Sequence, residues 1–570
     1  MTPRRPSKNR PGALLFIMLA GLAVITARLI LLQVHDQPEL SAMGLEQRIR
    51  TSELPAPRGE ILDRAGTPLA LNVEARDVYA NPGLVTDPGS EAVTIARILG
   101  LDRAAVLEQL TQDSPFVYLQ RGVEEARAVR LEEQALAGIG FLDVPKRSYP
   151  DQDLAGQLLG FVDIDGKGIA GFEQQYDDVL TGTPGERTTE VSAEGLPIAT
   201  GLATLREPVP GRDIVTTIDR QMQYRVQALL RRAVEENGAK GGTVVVMSPQ
   251  GEVYAMATYP WFDPNDPTTC ATDPDRCRNR AVTDTFEPGS VNKIITAAAA
   301  IETGAVDLHE VFQVPSSMQV GPFTINDSHE HAVEAMTLGD IISESSNIGA
   351  ALVANRVGSE ALDQYLRSFG FGQRTEIGFP GEAAGVLPDA WDEVIRATAS
   401  YGQGVSVTPL QIADVYATVA NGGMWVRPKI VEGYAASDGS VEPAEAGPTR
   451  RVIDQDTAAL LTRMLAYVVE DGTGTEAQIP GYQVAGKTGT ARKLDEHGVY
   501  VERYMASFAG FLPAGDPRVV ISVSLDEPQT VYGGAAAAPL FQGIATYAIG
   551  RLGIPPAPPV ELPPHVMPLP

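Results

Sequence analysis

Cysteine and positive charge are both scarce in this chain. Only two cysteines occur, Cys270 and Cys277. Two thiolates cannot complete a tetrahedral zinc site, and no histidine lies close to them in sequence. In an oxidising compartment the pair can close a small disulfide loop; two free thiols or a partial metal site are the alternatives. The formal net charge is −27, from 45 Lys and Arg against 72 Asp and Glu. So acidic a chain lacks the basic face a nucleic-acid partner demands. No internal repeat is present. The best metal motif outside the cysteines, His329-Glu330-His331, sets two histidines at i and i+2 in a polar stretch and reads as a solvated turn. No metal and no cofactor is expected.

The 570 residues, 44% of them hydrophobic and 21% charged, suffice for two or three domains with ordinary cores and argue against global disorder. Basic charge concentrates at the start, in Arg4, Arg5, Lys8 and Arg10. An apolar run from Gly12 to Val34 follows, broken only by Thr26, Arg28 and Gln33. As a helix it spans roughly 34 Å, enough for a bilayer core of about 30 Å. Arg28 lies near the far end, where its side chain reaches the headgroups. The run is long for a cleaved signal peptide, and no clear A-x-A site follows. The basic flank predicts a cytoplasmic N-terminus, with everything after Val34 outside.

From about residue 35 to 205 short strands and helices are punctuated by Gly and Pro. The segment Glu207–Asp213 (EPVPGRD) reads as a boundary. Asp219 is a plausible cap for a helix reaching about Glu236. GTVVVMSPQGEVYAMAT then reads as a hairpin. YMASFAGFLP and RVVISVSLDEP look like two further strands, and PLFQGIATYAIGRLG like a final helix. A mostly helical middle runs from Asn292 to about Val469. Strands from both ends of a region with helices between predict one antiparallel sheet packed against helices, an α+β domain. The Pro-rich end, PPAPPVELPPHVMPLP, is expected to be extended or disordered.

Three short motifs carry chemistry. In FEPGSVNKIITAAAA, Pro288 and Gly289 make a turn and Ser290 stands where a helix begins. Lys293 is then at i+3, on the same face. A serine hydroxyl is a poor nucleophile without an adjacent base, and a lysine can serve if burial and nearby positive charge lower its pKa. The helix N-terminus also offers N–H groups where an oxyanion could form. In ISESSNIGA, Ser345 and Asn347 can point polar groups into a cleft, although helix capping explains such residues equally well. In YQVAGKTGTARK, Lys487, Thr488 and Thr490 offer an ammonium and two hydroxyls on a strand, and Gly489 leaves room for a ligand beside the backbone. Each motif is weak alone. Together, in this order and separated by 55 and 142 residues, they form the Ser-x-x-Lys, Ser-x-Asn, Lys-Thr-Gly set of penicillin-interacting enzymes.

With these motifs the chain resembles the class B penicillin-binding proteins, monofunctional peptidoglycan transpeptidases. RGEILDRAGTPLA (Arg58–Ala70) and GIAGFEQQYDDVLTGTPGE (Gly168–Glu186) resemble motifs of that family's non-catalytic pedestal domain. YGQGVSVTPLQ and YGGAAAAPLF match further transpeptidase segments, and RNRAVTDTFEPGS is similar to the septal FtsI branch. The resemblance implies a cytoplasmic tail (1–12), an anchor (13–34), a pedestal of the dimerisation type (35–205), a transpeptidase domain (206–553) and a Pro-rich tail (554–570). It implies Ser290 as nucleophile on D-Ala-D-Ala, Lys293 as base and Ser345 as proton relay. Asn347 would place substrate and Lys293, and Lys487 would supply positive potential. Thr488 and Thr490 would hold the substrate carboxylate, and the N–H groups of Ser290 and Thr490 would form the oxyanion hole. The implied partners are peptidoglycan stem peptides, β-lactams, the inner membrane, and an FtsW-type glycan polymerase within the division complex, since no polymerase domain precedes the pedestal. The catalytic part would be periplasmic. Many relatives have Thr-Val where this chain has Val291-Asn292. The rival readings are an elongation-complex transpeptidase, a D,D-carboxypeptidase or β-lactamase, and a β-lactam sensor without catalysis.

Overall fold

The computed structural model describes residues 9–35, 48–190, 198, 203–436, 439–495 and 497–564; Arg4, Arg5 and Lys8 of the basic flank lie outside them. The chain divides into two compact units, residues 1–57 with 182–210, and residues 58–181 with 211–570.

In the first unit a helix runs from Asn9 to Ile30 and continues as a π-helical turn to His35. Pro11–Gln33 has a mean hydropathy of 2.5, is long and apolar enough to cross a membrane, and buries none of its surface against protein. It fits a single-pass anchor, because lipid is the solvent that would cover such a stripe-free apolar surface. Thr26 satisfies its hydroxyl within the helix by donating to the Leu22 carbonyl at 2.8 Å. The same unit holds a three-stranded antiparallel sheet, with Gly185–Glu190 between Ile49–Leu54 and Ala203–Arg206.

The second unit is organised around a five-stranded antiparallel sheet. Its order is Val253–Tyr259, Gly241–Met247, Val519–Asp526, Tyr500–Leu512, Ala485–Leu494. The expected hairpin and both late strands are all members. Because side chains alternate across a strand, each central strand faces two cores. Val244 and Val246 join Met222, Val226, Phe541 and Ile544 from helices Arg220–Glu236 and Ala538–Leu552. Val245 and Met247 join the larger core with Ile294, Ile412 and Tyr416 on the other side. Asp219 caps its helix as expected, accepting from the N–H groups of Gln221 and Met222, and is held by Arg551 at 2.9 Å. The middle segment is less uniformly helical than its sequence suggests. Among the described residues it contains three small separate ladders, Phe312–Val314 with Glu334–Met336, Ser317–Val320 with Phe323–Asn326, and Met424–Val426 with Thr449–Arg451.

A second sheet gathers short strands from distant parts of the sequence. Ile61–Leu62 pairs in parallel with Ile214–Thr216, which pairs with Val431–Ala435, while Pro68–Ala80 extends the sheet to Val117–Glu124 and Ile139–Ser148. The Pro-rich end is extended and bound as far as Pro564. Arg463 donates to the carbonyls of Glu561 and Leu562, Thr337 to that of Pro564, and Val560 packs on the core.

The segments Arg58–Ala70 and Gly168–Glu186 meet in a buried ion triad. Glu173 is fully buried; its Oε2 takes Arg58 Nε at 2.7 Å and its Oε1 takes Arg147 Nε at 2.6 Å. Tyr149 donates its hydroxyl to the same Oε1 at 3.3 Å, and Arg58 also meets Asp177 at 2.7 Å. Removing the shared carboxylate would strand the buried Arg147 guanidinium and leave Arg58 to Asp177. Glu173→Ala is therefore expected to cost about 3–5 kcal/mol in denaturant unfolding, far more than breaking an exposed pair such as Arg232–Glu236.

Candidate active site

Ser290 stands in a short 3-10 turn, Gly289–Asn292, that leads into the buried helix Lys293–Glu302. The turn needs a glycine: Gly289 has φ +58°, and a Cβ there would lie 2.9 Å from the Thr490 carbonyl oxygen. Gly402, of the YGQG segment, has φ +85° and backs onto the same turn, where a Cβ would come within 2.2 Å of Gly289 O. The serine turn is thus pressed between the strand carrying Lys-Thr-Gly-Thr and the loop after helix Glu393–Ser400.

The helix places Lys293 one turn beyond the serine, fully buried, with Nζ 2.9 Å from Ser290 Oγ. The same nitrogen lies 2.9 Å from Asn347 Oδ1 and 3.3 Å from Ser345 Oγ, and it also bonds the Ser345 carbonyl. Ser345 holds φ +62°, an uncommon left-handed conformation for serine, which turns its carbonyl and hydroxyl toward Lys293. Ser346 caps helix Asn347–Val357 through the Gly349 N–H, so both readings of the Ser-x-Asn element hold for different residues of it. Burial pushes the Lys293 ammonium well below its ordinary value; the positive charge of Lys487 acts the same way, and Asp327 opposes them.

Lys487 is also fully buried, on the edge strand Ala485–Leu494, with Nζ 3.3 Å from Thr488 Oγ1 and 3.4 Å from Thr473 Oγ1. Burial lowers it to about 7, against the opposing charge of Glu344. Thr488 Oγ1 shares a proton with Thr473 Oγ1 at 2.9 Å, and Thr490 Oγ1 accepts from the Gly533 N–H at 3.1 Å. Ser290, Ser345, Asn347 and Thr490 remain partly exposed above these buried amines. The space at Gly489 is filled by the protein itself. A Cβ there would meet Ser507 Oγ at 2.3 Å and Pro288 O and Val291 Cγ1 at 3.0 Å, so glycine is required for the strand to pass the serine turn.

Several residues at the site carried no signal in the sequence. Asp327 accepts from the N–H groups of Asn347 and Ile348 and from Ser346 Oγ, and so anchors the Ser-x-Asn element. His331, read from sequence as part of a solvated turn, instead has a side chain only 7% exposed and lies 3.2 Å from Asp327. Glu287 accepts from the Gly404 N–H at 2.9 Å and the Tyr500 hydroxyl at 3.0 Å, and burial raises its pKa. It helps line a cavity of about 300 Å³ with Phe286, Ala491 and Arg492 beside, not at, the serine. Only the chain's return to the same place reveals these partners. Cys270 and Cys277 are joined as a disulfide with Cα atoms 5.6 Å apart. Among the described residues no group of three or more His, Cys, Asp and Glu side chains is placed to hold a metal.

Two family models match this architecture. The penicillin-binding protein transpeptidase domain matches residues 242–546, and the penicillin-binding protein dimerisation domain matches residues 53–216. The chain is a class B penicillin-binding protein. It is similar to penicillin-binding protein PbpB of Mycolicibacterium smegmatis, with 37% identity covering 97% of this chain and 92% of that one. It is likewise similar to peptidoglycan D,D-transpeptidase FtsI of Escherichia coli K12, with 33% identity over 95% and 91% of the two chains. Among solved structures, penicillin-binding protein 3 of Mycobacterium tuberculosis complexed with aztreonam aligns with a TM-score of 0.70 and 34% identity, covering 90% of this chain and all of that one. The three motifs of this chain come from one helix start, one inter-helix loop and one edge strand.

The buried lysines make a signed prediction. Lys487 has a folded pKa of about 7, below its unfolded value of about 10.4, so the folded state binds fewer protons and stability rises with pH between these values. Lys487→Met keeps the volume and removes the group that resists protonation. Relative to wild type, its unfolding midpoint should gain more at pH 6 than at pH 9.5, measured by thermal denaturation.

Proposed function

We propose that this chain is a serine-type peptidoglycan D,D-transpeptidase that crosslinks stem peptides through an acyl-enzyme on Ser290, at the division septum. The observation that carries the chemistry is the donor arithmetic at Lys293. A neutral amine has two N–H groups and one lone pair. The Asn347 amide oxygen and the Ser345 carbonyl accept only, so they take the two protons and leave the lone pair to the Ser290 hydroxyl at 2.9 Å. A base so poised takes the hydroxyl proton as Oγ attacks the carbonyl between the last two D-alanines.

The remaining roles follow from position. The N–H groups of Ser290 and Thr490 serve as the oxyanion hole. Ser345 Oγ, at 3.3 Å from Lys293 Nζ, relays the proton to the departing D-alanine. Asn347 orients substrate and Lys293. Lys487 supplies positive potential, and Thr488 and Thr490 hold the terminal carboxylate. The amine of a second stem peptide then resolves the acyl-enzyme into a crosslink. β-Lactams imitate the donor and acylate the same serine. Deacylation by water is slow, because the nearby carboxylates are engaged: Asp327 caps a helix, and Glu287 is held by Gly404 and Tyr500.

The septal assignment is supported by similarity to FtsI and by the segment before Ser290. The apolar N-terminal helix acts as the inner-membrane anchor, with the N-terminus cytoplasmic and the rest periplasmic, the tail at 1–12 and the anchor at 13–34. Residues 35–205 form the pedestal, 206–553 the transpeptidase domain and 554–570 the terminal tail. An FtsW-type polymerase in the division complex supplies the glycan strands.

Mass spectrometry after exposure to labelled penicillin is expected to find one stable adduct, on Ser290; an unmodified Ser290 overturns the proposal. Lys293→Ala should slow acylation by about 10²–10⁴-fold. Since Lys293 accepts a proton only when neutral, the wild-type acylation rate should rise with pH through its lowered pKa and be lost below it. Depletion of the protein should give filamentous cells; rounded cells would move it to the elongation machinery.

A further inference from the structure

His331 sits where the function needs a second cation. Its Nε2 is 3.2 Å from Asp327 Oδ2 and its Nδ1 is 2.7 Å from the Ala332 carbonyl oxygen. Both partners are acceptors, so both ring nitrogens must donate, and only the imidazolium carries two N–H groups. The side chains of His331 and Asp327 are 7% and 5% exposed. Burial works against this charge, but the Ala332 carbonyl, Asp327 and Glu334 outweigh it and raise the imidazole above its ordinary pKa.

The pair connects directly to the catalytic lysine. Asp327 binds Ser346 Oγ at 2.7 Å and the N–H groups of Asn347 and Ile348, while the Asn347 side chain holds Lys293 Nζ at 2.9 Å. The Asp327 carboxylate also favours the charged form of Lys293. Its work as an anchor is therefore at odds with keeping the base neutral. A cation against Asp327 removes the conflict. The other ionisable groups facing His331 are Glu334, with an oxygen 3.7 Å from Nδ1, and His329, with ring centroids 5.5 Å apart; Glu344 lies beyond them, coupled to both.

We propose that His331 is a positioning residue for acylation. As an imidazolium it balances Asp327, which lets that carboxylate fix Ser346 and Asn347 without re-protonating Lys293. The inference rests on the reading of Lys293 as base.

The test is the pH profile of Ser290 acylation by a fluorescent penicillin, between pH 5 and 10, on the full-length protein in detergent. His331→Gln keeps a donor but no charge. It should match wild type within about threefold at alkaline pH, where the wild-type imidazole is itself neutral. On the acid side its limb should move to higher pH by about half a unit, the scale of one lost charge at short range in a partly polar medium. His331→Arg, which keeps the charge, should leave the limb in place. Asp327→Asn should move it to lower pH while reducing the plateau. A uniform loss at all pH values in His331→Gln, or an unmoved limb in a variant with wild-type thermal midpoint, overturns the proposal. Absence of Ser290 acylation in the wild type would instead refute the proposed function.

Discussion

Lys293 is fully buried, and the groups around it satisfy its amine while disfavouring its charge. Full burial and the neighbouring Lys487 both disfavour the ammonium. Two acceptor-only oxygens, from Ser345 and Asn347, take its protons, and its third polar neighbour is the Ser290 hydroxyl at 2.9 Å. An amine in open solvent would be protonated at neutral pH and useless as a base. The helix Lys293–Glu302 must therefore lie deep, and its run of alanines and isoleucines, buried through Ala300, is what takes it there.

Depth imposes close approach. The turn before that helix is pressed against the edge strand at Gly489 and against the loop at Gly402, with Gly289 at positive φ between them. These contacts bring together segments more than 100 positions apart in the chain. The five-stranded sheet supplies the rigid part, since two independent cores grip its central strands from opposite faces. Ser345, in its strained left-handed conformation, depends on the anchorage of its neighbours by Asp327.

Outside the catalytic cleft, charge is used for structure. Glu173 pairs with Arg58 and so locks together the two segments whose sequence pattern resembled the pedestal motifs, with Arg147 of strand Ile139–Ser148 as the third member. Such a triad contributes more to specifying one arrangement than to net stability, because desolvating three ions offsets much of their attraction. The Pro-rich end, which by composition needed only to be extended, is held by carbonyl contacts to Arg463 and Thr337.

The sequence by itself determined the fold class, the family, the apolar helix and the three motif positions. Runs rich in β-branched residues mark strands, Asp219 marks a helix start, and Ser-x-x-Lys, Ser-x-Asn and Lys-Thr-Gly occur in order; all of these are local patterns legible over ten or twenty residues. Tertiary structure alone decided that Lys293 is stripped of water, that Asp327 and His331 stand behind Asn347, that Glu287 meets Tyr500, and that Gly489 yields its space to Pro288 and Ser507. The reason is the same in each case. Burial and hydrogen-bond partnership depend on segments distant in sequence, and His-Glu-His or Thr-Gly-Thr reads alike whether its partner is water or a folded neighbour.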